Sequence, residues 1–235
     1  MTTDLVLSSG FLAFARHIGV LAAIEERGVT IDGVCGTSSG SMTGALWAAG
    51  HSAEVIAREL SADRPLRHVR PTLTPWQGLL SAGPMIRKLQ DLLPARFEDL
   101  ERPFAVGVMD EDGEHHLIRS GPLAEAVAAS CAIPRLFRPV AHGGARFQDG
   151  AFVDRLGLAA WRDLRRAEGR DDIAVIAHIV ERSSGVADER GLDGALVIRT
   201  PRSRARLWSL GDFQGQLTEA RNIALAALDN PGFAG

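Results

Sequence analysis

"GVCGTSSGSMTGALWAAG", residues 33–50, changes its period part-way along. An apolar run ends at Cys35, and the small residues Gly36, Thr37, Ser38, Ser39 and Gly40 follow. Then Met42, Ala45, Leu46 and Ala49 recur at i, i+3, i+4 and i+7, one face of a helix. The stretch therefore reads as strand, tight turn, helix. Working outward, "DLVLSSG" (4–10) reads as a buried strand and "ARHIGVLAAIEERG" (15–28) as a helix stopped by Gly28. "VTIDGVCG" (29–36) is a second strand, and Gly50 ends the helix after Ser38. Ser52 caps the next helix, "AEVIARELSAD". Strand, helix, strand, helix favours a largely parallel sheet covered by helices.

The pattern continues downstream. Residues 63–83 carry Pro65, Pro71 and Pro75 beside Trp76, Leu79 and Leu80, and read as a surface loop with apolar anchors. "PMIRKLQDLLP" (84–94) is helical, and "FAVGVM" and "EHHLIRS" form a hairpin around Asp110–Gly113. "GPLAEAVAASCAIP" (121–134) reads as a helix with Pro122 in its first turn and Pro134 as its stop. "ARFQDGAFVD" (145–154) is a strand that breaks at Asp149–Gly150, entered from a Gly-Gly hairpin turn in "AHGGA" (141–145). "DIAVIAHIV" and "ALVIRT" are late strands, and "FQGQLTEARNIALAALDN" (213–230) is a closing helix. With no repeat, low-complexity tract or linker, residues 1–235 read as one domain.

Composition narrows the classes. At 235 residues with 46% hydrophobic and 23% charged residues, the chain can bury a sizeable core. A formal net charge of −3 argues against a dedicated nucleic-acid binder. The N-terminus lacks a secretory pattern and no stretch approaches a membrane span, so a cytoplasmic location is expected. Cys35 and Cys131 sit in apolar settings without metal-type spacing and read as reduced thiols. His115 and His116 would point to opposite faces of a strand, which argues against a shared metal.

The pattern Gly-x-Ser-x-Gly at 36–40 has a mechanical meaning. A serine on a sharp strand-to-helix turn projects its oxygen, and the flanking glycines Gly36 and Gly40 avoid clashes there. The N-terminus of the following helix favours developing negative charge, so the Ser39 N–H is a candidate oxyanion donor. A phosphate loop is disfavoured because no Gly-Lys-Ser/Thr follows. Such a serine needs a base. One arrangement is Ser38, Asp149 and His178. The other is Asp149 acting on Ser38 directly, with Gly150 turning the chain away so that the carboxylate stays at a sheet edge. His178 lies in mid-strand, where a packed core histidine is the commoner outcome.

Four ordered blocks resemble the patatin-like phospholipase family. "LVLSSGFLAFARHIGVL" (5–21) is similar to its first strand, glycine-rich oxyanion loop and first helix, and "GTSSGSMTGALWAAGHSAEVI" (36–56) to its nucleophile elbow. "GPLAEAVAASCAIPRLFRPV" (121–140) and "FQDGAFVDRLGL" (147–158) resemble its later helix and its Asp-Gly-Gly/Ala block. The resemblance implies a three-layer α/β/α sandwich with a mostly parallel sheet, and a Ser38–Asp149 dyad that needs no histidine. It implies Gly10, Phe11 and Ser39 as backbone oxyanion donors, no metal and no organic cofactor. The implied substrates are lipid acyl esters, phospholipids among them, cleaved through an acyl-enzyme. Transient contact with a membrane surface goes with that chemistry, and some relatives need a protein activator.

The chain departs from the family in two places. The oxyanion loop pattern is close to Gly-Gly-Gly-x-Arg/Lys-Gly, whereas residues 9–14 are Ser9, Gly10, Phe11, Leu12, Ala13 and Phe14. Only Gly10 matches and the basic residue is gone; Arg16 is the nearest substitute in sequence. If positions 9 and 11 require positive φ, Ser and Phe are strained there. Otherwise the loop takes another shape. The stretch Asp154, Arg155, Leu156, Gly157 also replaces the family's Asn residues and Pro. Two other readings therefore stay open: a fold that binds lipid or protein without turnover, and a His-assisted hydrolase or acyltransferase. Finally, "PRSRARLWSLGDF" (201–213) reads as a surface loop pinned by Trp208, with approach to anionic lipid as the second reading.

Overall fold

The computed structural model describes residues 2–62, 64–72, 76, 78–181 and 190–230. In chain order its strands are β1 (Thr3–Leu7), β2 (Ile31–Thr37), β3 (Arg70–Pro71), β4 (Leu80–Ser81) and β5 (Phe104–Met109). They continue with β6 (His115–Ile118), β7 (Val140–His142), β8 (Ala145–Asp149), β9 (Ala174–Val180) and β10 (Leu196–Thr200). The helices are α1 (Phe14–Arg27), α2 (Ser39–Ala48), α3 (Ala53–Ser61), α4 (Gly83–Leu92), α5 (Leu123–Ser130), α6 (Leu158–Ala167) and α7 (Phe213–Leu228).

Strand parity sorts the core. Leu5, Leu7, Val34, Phe104, Val106 and Ile176 face one helical layer; Val6, Cys35, Ala105, Val175 and Ala177 face the other. Continuous apolar strands of this kind are what a sheet buried on both faces requires. The sheet runs β10-β9-β1-β2-β5-β8-β7, with β6 paired to β5 off that path. The five strands β10, β9, β1, β2 and β5 are mutually parallel, and β6, β7 and β8 are antiparallel additions. The architecture is an α/β sandwich of three layers with unequal outer layers. Residues of α1 to α5 and α7 build the larger core, whereas α6, through Leu158 and Trp161, covers the opposite face. Under α6, Trp161 and Arg165 both donate to the buried Asp4 at 2.9 and 2.8 Å, so a carboxylate in the core is fully paired.

Most element readings hold. Gly28 closes α1 in the left-handed region at φ 61°, and Ser52 Oγ accepts from Val55 N–H at 3.3 Å. Gly143 and Gly144, both at positive φ, turn β7 into β8. Three readings change. Helix α5 ends at Ser130, well before Pro134, because the Ala132 carbonyl accepts from Asp149 N–H at 3.0 Å instead of continuing the helix. Trp76 and Leu79 are exposed rather than anchoring, and Leu80 alone turns inward from β4; Pro75 lies outside the described residues. Trp208 is likewise exposed, stacked under Arg206 rather than pinning its loop into the core. Among the described residues no helix is long and apolar enough to cross a membrane.

Candidate active site

Strand β5 brings the two halves of the site together. One of its edges pairs with β2 as far as Thr37↔Gly107, where the chain leaves the sheet for α2. The next position on that edge, Val108, pairs with Asp149 at the end of β8. The last residue of β8 thus takes the place β2 vacates. Ser38 and Asp149, 111 positions apart in sequence, meet with Ser38 Oγ donating to Asp149 Oδ2 at 2.9 Å. The second carboxylate oxygen accepts from Ala151 N–H at 2.9 Å, which fixes the rotamer. Asp149 is buried and Ser38 half-buried.

Ser38 adopts φ 54°, ψ −119°, a region costing a non-glycine residue of order 1–3 kcal/mol. Its surroundings hold it there. Its N–H donates to Ser130 Oγ at 2.8 Å, and Ser130 donates onward to the Gly107 carbonyl at 2.7 Å. Its carbonyl accepts from Ser41 Oγ at 2.7 Å and from Met42 N–H at 3.1 Å. The glycines either side are required by close approach. A Cβ on Gly36 would stand 2.5 Å from the Gly40 carbonyl oxygen, and one on Gly40 only 2.3 Å from that of Leu7. Gly150 packs on Gly107, where a Cβ would come within 2.7 Å of backbone.

The loop from β1 to α1 takes a shape of its own. Neither Ser9 nor Phe11 has positive φ; the left-handed residue is Leu12 at φ 49°. Ser9 N–H is committed to the Arg155 carbonyl at 2.8 Å. No partner for the N–H of Gly10 or Phe11 is found among the described residues. Ser39 opens α2, so its N–H has no intrahelical carbonyl to meet. Gly10, Phe11 and Ser39 all line the cavity that holds Ser38 and Asp149. Arg16 does not return charge to this loop: it is buried against α7, donating to Gln216 O at 3.2 Å and to Glu219 at 2.6 Å.

His178 stands apart from the dyad. Its Nδ1 faces His17 Nδ1 at 2.9 Å and its Nε2 meets Thr200 Oγ1 at 2.9 Å, leaving neither ring nitrogen for Ser38. His17 continues the chain of contacts to Ser39 Oγ at 3.2 Å. Burial drives the His17 pKa down to about 3 and that of His178 well below its usual value, so both imidazoles are neutral. Burial also raises both thiol pKa values, which makes Cys131, 3.3 Å from the Ser38 carbonyl, a packed group and not a nucleophile. Among the described residues no group of three or more His, Cys, Asp or Glu is placed to hold a metal ion.

The cavity measures about 960 Å³. Its walls are mostly apolar, with Phe14, Met42, Leu60, Leu89, Leu136 and Phe137 among them, and Lys88, Arg202, Arg204 and Arg206 also border it. A strained serine bonded to a carboxylate at one side of an apolar cavity is an arrangement for ester chemistry.

A family profile described as patatin-like phospholipase matches residues 5–160. The chain belongs to the patatin-like phospholipase family. Among its relatives, an uncharacterised NTE family protein of Mycobacterium tuberculosis is 33% identical over 159 residues, which is 66% of this chain and 44% of the relative. Lysophospholipase NTE1 of Mycosarcoma maydis is 27% identical over 239 residues, 95% of this chain and 12% of that one. The patatin-like chain thus spans less than half the length of these relatives. Among solved structures, VipD from Legionella pneumophila superposes with a TM-score of 0.60 at 14% identity, covering 97% of this chain and 66% of VipD. The type III effector ExoU gives 0.56 at 14% identity, covering 97% and 52%. At such identity the likeness is one of fold.

Three residues of this patatin-like site escaped the sequence reading: Ser130, His17 and Arg155. Each is a buried polar side chain, and two of them directly follow another buried charged residue, His17 after Arg16 and Arg155 after Asp154. That is the available signal, since a buried polar group needs a partner, but it does not say which one.

Proposed function

We propose that this chain hydrolyses lipid acyl esters through an acyl-enzyme on Ser38, with Asp149 as general base and then general acid. The observation that carries the reading is the 2.9 Å hydrogen bond from Ser38 to Asp149 beside an apolar cavity of about 960 Å³. Ser38 Oγ attacks the ester carbonyl while its proton passes to Asp149. The negative charge on the carbonyl oxygen is met by the N–H groups of Gly10, Phe11 and Ser39. The carbon–oxygen bond to the alcohol breaks, and Asp149 returns the proton to the leaving alkoxide. Water then attacks the acyl-Ser38, giving its proton to Asp149; the intermediate collapses, Ser38 is reprotonated and the fatty acid departs. The steps use protein groups and water only.

Membership of the patatin-like phospholipases and likeness to a lysophospholipase support phospholipids and lysophospholipids as the substrate class. The same reading sets the cavity mouth against an anionic lipid surface. Phe11 and Phe152 line it and are 51% and 61% exposed, beside Arg202, Arg204 and Arg206, and Trp208, 58% exposed, lies under Arg206. An apolar rim with cations is the composition of an interfacial contact. We place the chain in the cytoplasm, where the free Cys35 and Cys131 stay reduced.

The test is a fluorophosphonate probe on folded protein together with hydrolysis of a graded acyl-ester series. Wild type should label and turn over, and Ser38→Ala should do neither, with a loss of about 10⁴-fold or more. Tight lipid binding without labelling or turnover would replace this reading with a non-catalytic one. Sedimentation with phosphatidylglycerol vesicles, weakened by salt and by Trp208→Ala, checks the lipid contact.

A further inference from the structure

The oxyanion loop has lost its own basic residue, yet a buried guanidinium reaches it from the far side. Arg155 is 7% exposed and follows closely after Asp149 in the chain. Its Nη2 donates to the Ser9 carbonyl at 3.2 Å and to the Val180 carbonyl at 2.7 Å. Its own carbonyl accepts from Ser9 N–H at 2.8 Å. Residue 155 therefore holds Ser9 from both sides and ties the loop to the end of β9.

The consequence lies one atom further along. In a trans peptide unit the C=O and the following N–H point in opposite directions. Turning the Ser9 carbonyl toward Arg155 turns the Gly10 N–H away from it. Gly10 lines the cavity with Ser38 and Asp149, and its N–H has no partner among the described residues. A cation on the carbonyl also polarises the unit and strengthens its N–H as a donor. Gly10 itself cannot be replaced to gain rigidity, since a Cβ there would stand 2.7 Å from Ala13 Cβ. The order must come from outside the loop. A buried guanidinium is costly to desolvate, and an apolar side chain would fill the space at less cost, so packing alone does not account for Arg155.

We propose that Arg155 is the positioning residue of the oxyanion loop. It orients the Ser9–Gly10 peptide unit so that the Gly10 N–H meets the oxygen that becomes charged when Ser38 attacks. It also supplies, from the Asp149 segment, the positive charge missing at Ala13. The assignment rests on the Ser38 acyl-enzyme reading.

The experiment compares wild type, Arg155→Met and Arg155→Lys in hydrolysis of a short p-nitrophenyl ester, in the rate of fluorophosphonate labelling and in Tm. Arg155→Met should lower kcat roughly 10–100-fold with KM within about twofold, because the donor is misplaced and the substrate's binding walls are not. Labelling of Ser38 should slow in step, and Arg155→Lys should recover at least about fivefold of the loss. If Arg155→Met does not fold, Arg155→Gln, which keeps a donor without the charge, takes its place with the same expectation. The assignment is overturned by a kcat within about threefold of wild type. It is equally overturned by a loss confined to KM, or by a loss that follows Tm equally in the Lys and Met variants. A wild type that neither labels nor turns over removes the Ser38 reading and this one with it. A wild type that labels no faster than Arg155→Met removes only the Arg155 assignment.

Discussion

Two turns leave the sheet side by side and line one cavity, and they are built on opposite plans. Between β2 and α2 the chain turns on a single residue, Ser38, held by backbone packed so closely that Gly36 and Gly40 admit no Cβ. Between β1 and α1 the chain takes a longer path, from Ser8 to Ala13, with one glycine. That path is held by side chains from remote elements: Arg155 on Ser9 O, and Ser203 Oγ on Leu12 O at 3.2 Å. In the proposed mechanism the first turn presents the nucleophile and the second the charge acceptor. A serine on a turn packed this closely against backbone tolerates little change. A loop held by distant side chains can change its sequence if those side chains change too.

The sharpest way to break this contrast is to exchange small substitutions between the turns. Gly40→Ala puts a methyl 2.3 Å from the Leu7 carbonyl and should lower fluorophosphonate labelling about 10²-fold or more. Phe11→Gly removes a half-exposed side chain from a residue with ordinary φ, and should change labelling by less than about threefold. The reverse ranking would mean that the loop, and not the elbow, is the rigid member.

The same contrast explains what the sequence disclosed. The elbow was legible because its signals are local: an apolar run, glycines at fixed offsets and a helical stripe within residues 33–50. Asp149 was legible as a strand-end carboxylate, but its meeting with Ser38 depends on β5 changing partners between Gly107 and Val108, a long-range event. The loop's support was not legible. Nothing local to Arg155 distinguishes a side chain that turns inward to two carbonyls from one that faces solvent. Helix α6 was missed for a related reason: Arg165 stands in its apolar stripe with Leu158 and Trp161, yet is itself buried, paired with Asp4 and Asp32. The exposed Trp76 and Trp208 mark the converse failure, since large apolar residues left at the surface look like core in a sequence.

A second prediction concerns the link between the turns. His17 on α1 bonds Ser39 at the start of α2, and its Nδ1 faces His178 Nδ1 at 2.9 Å, a contact that admits one proton between them. Both pKa values are depressed in the fold, that of His17 to about 3 from 6.5. The unfolded chain then binds more protons below pH 6.5, so stability is full above that pH and falls as the pH drops toward 3. Each neutral imidazole contributes a slope of roughly 1.4 kcal/mol per pH unit in that window. The half-buried His142, depressed by desolvation, adds in the same direction. The lowered carboxylates Glu98, Asp110 and Asp229 act further down, below ordinary values of 4.5 and 3.8. Urea denaturation at pH 5, 6 and 7 should show this slope, reduced by about one proton in His17→Gln. An unchanged slope in that variant would mean that His17 titrates normally and the two turns are not joined through a neutral pair.

Within the elbow, Ser130→Ala removes the acceptor for the Ser38 N–H and the donor to Gly107 at once. Leaving those buried groups unsatisfied should cost about 1–3 kcal/mol in urea denaturation. It should also lower kcat about tenfold, since the strained residue is the proposed nucleophile. Loss of stability with unchanged kcat would show that the backbone packing of Gly36 and Gly40 holds Ser38 without it.

The smallest effect belongs to the loop, and it asks whether remote support is shared or concentrated. Ser203 Oγ donates to the carbonyl of Leu12, the loop's one left-handed residue, and also accepts from Ala205 N–H at 3.1 Å. Ser203→Ala removes a partly buried neutral hydrogen bond, worth about 0.5–1.5 kcal/mol. Leu12 adjoins Phe11 and lies two residues beyond Gly10, so a shift reaches the proposed Phe11 donor first and the Gly10 donor through it. The expected outcome is a fall in kcat of about two- to fivefold at unchanged KM, well short of that for Arg155→Met. Combining Ser203→Ala with Arg155→Met decides between two ways of holding a loop. If the effects on kcat multiply, the two side chains fix separate ends of it. If the double variant is no worse than Arg155→Met alone, the loop is one unit whose order depends on the guanidinium, and Ser203 follows a shape that Arg155 sets.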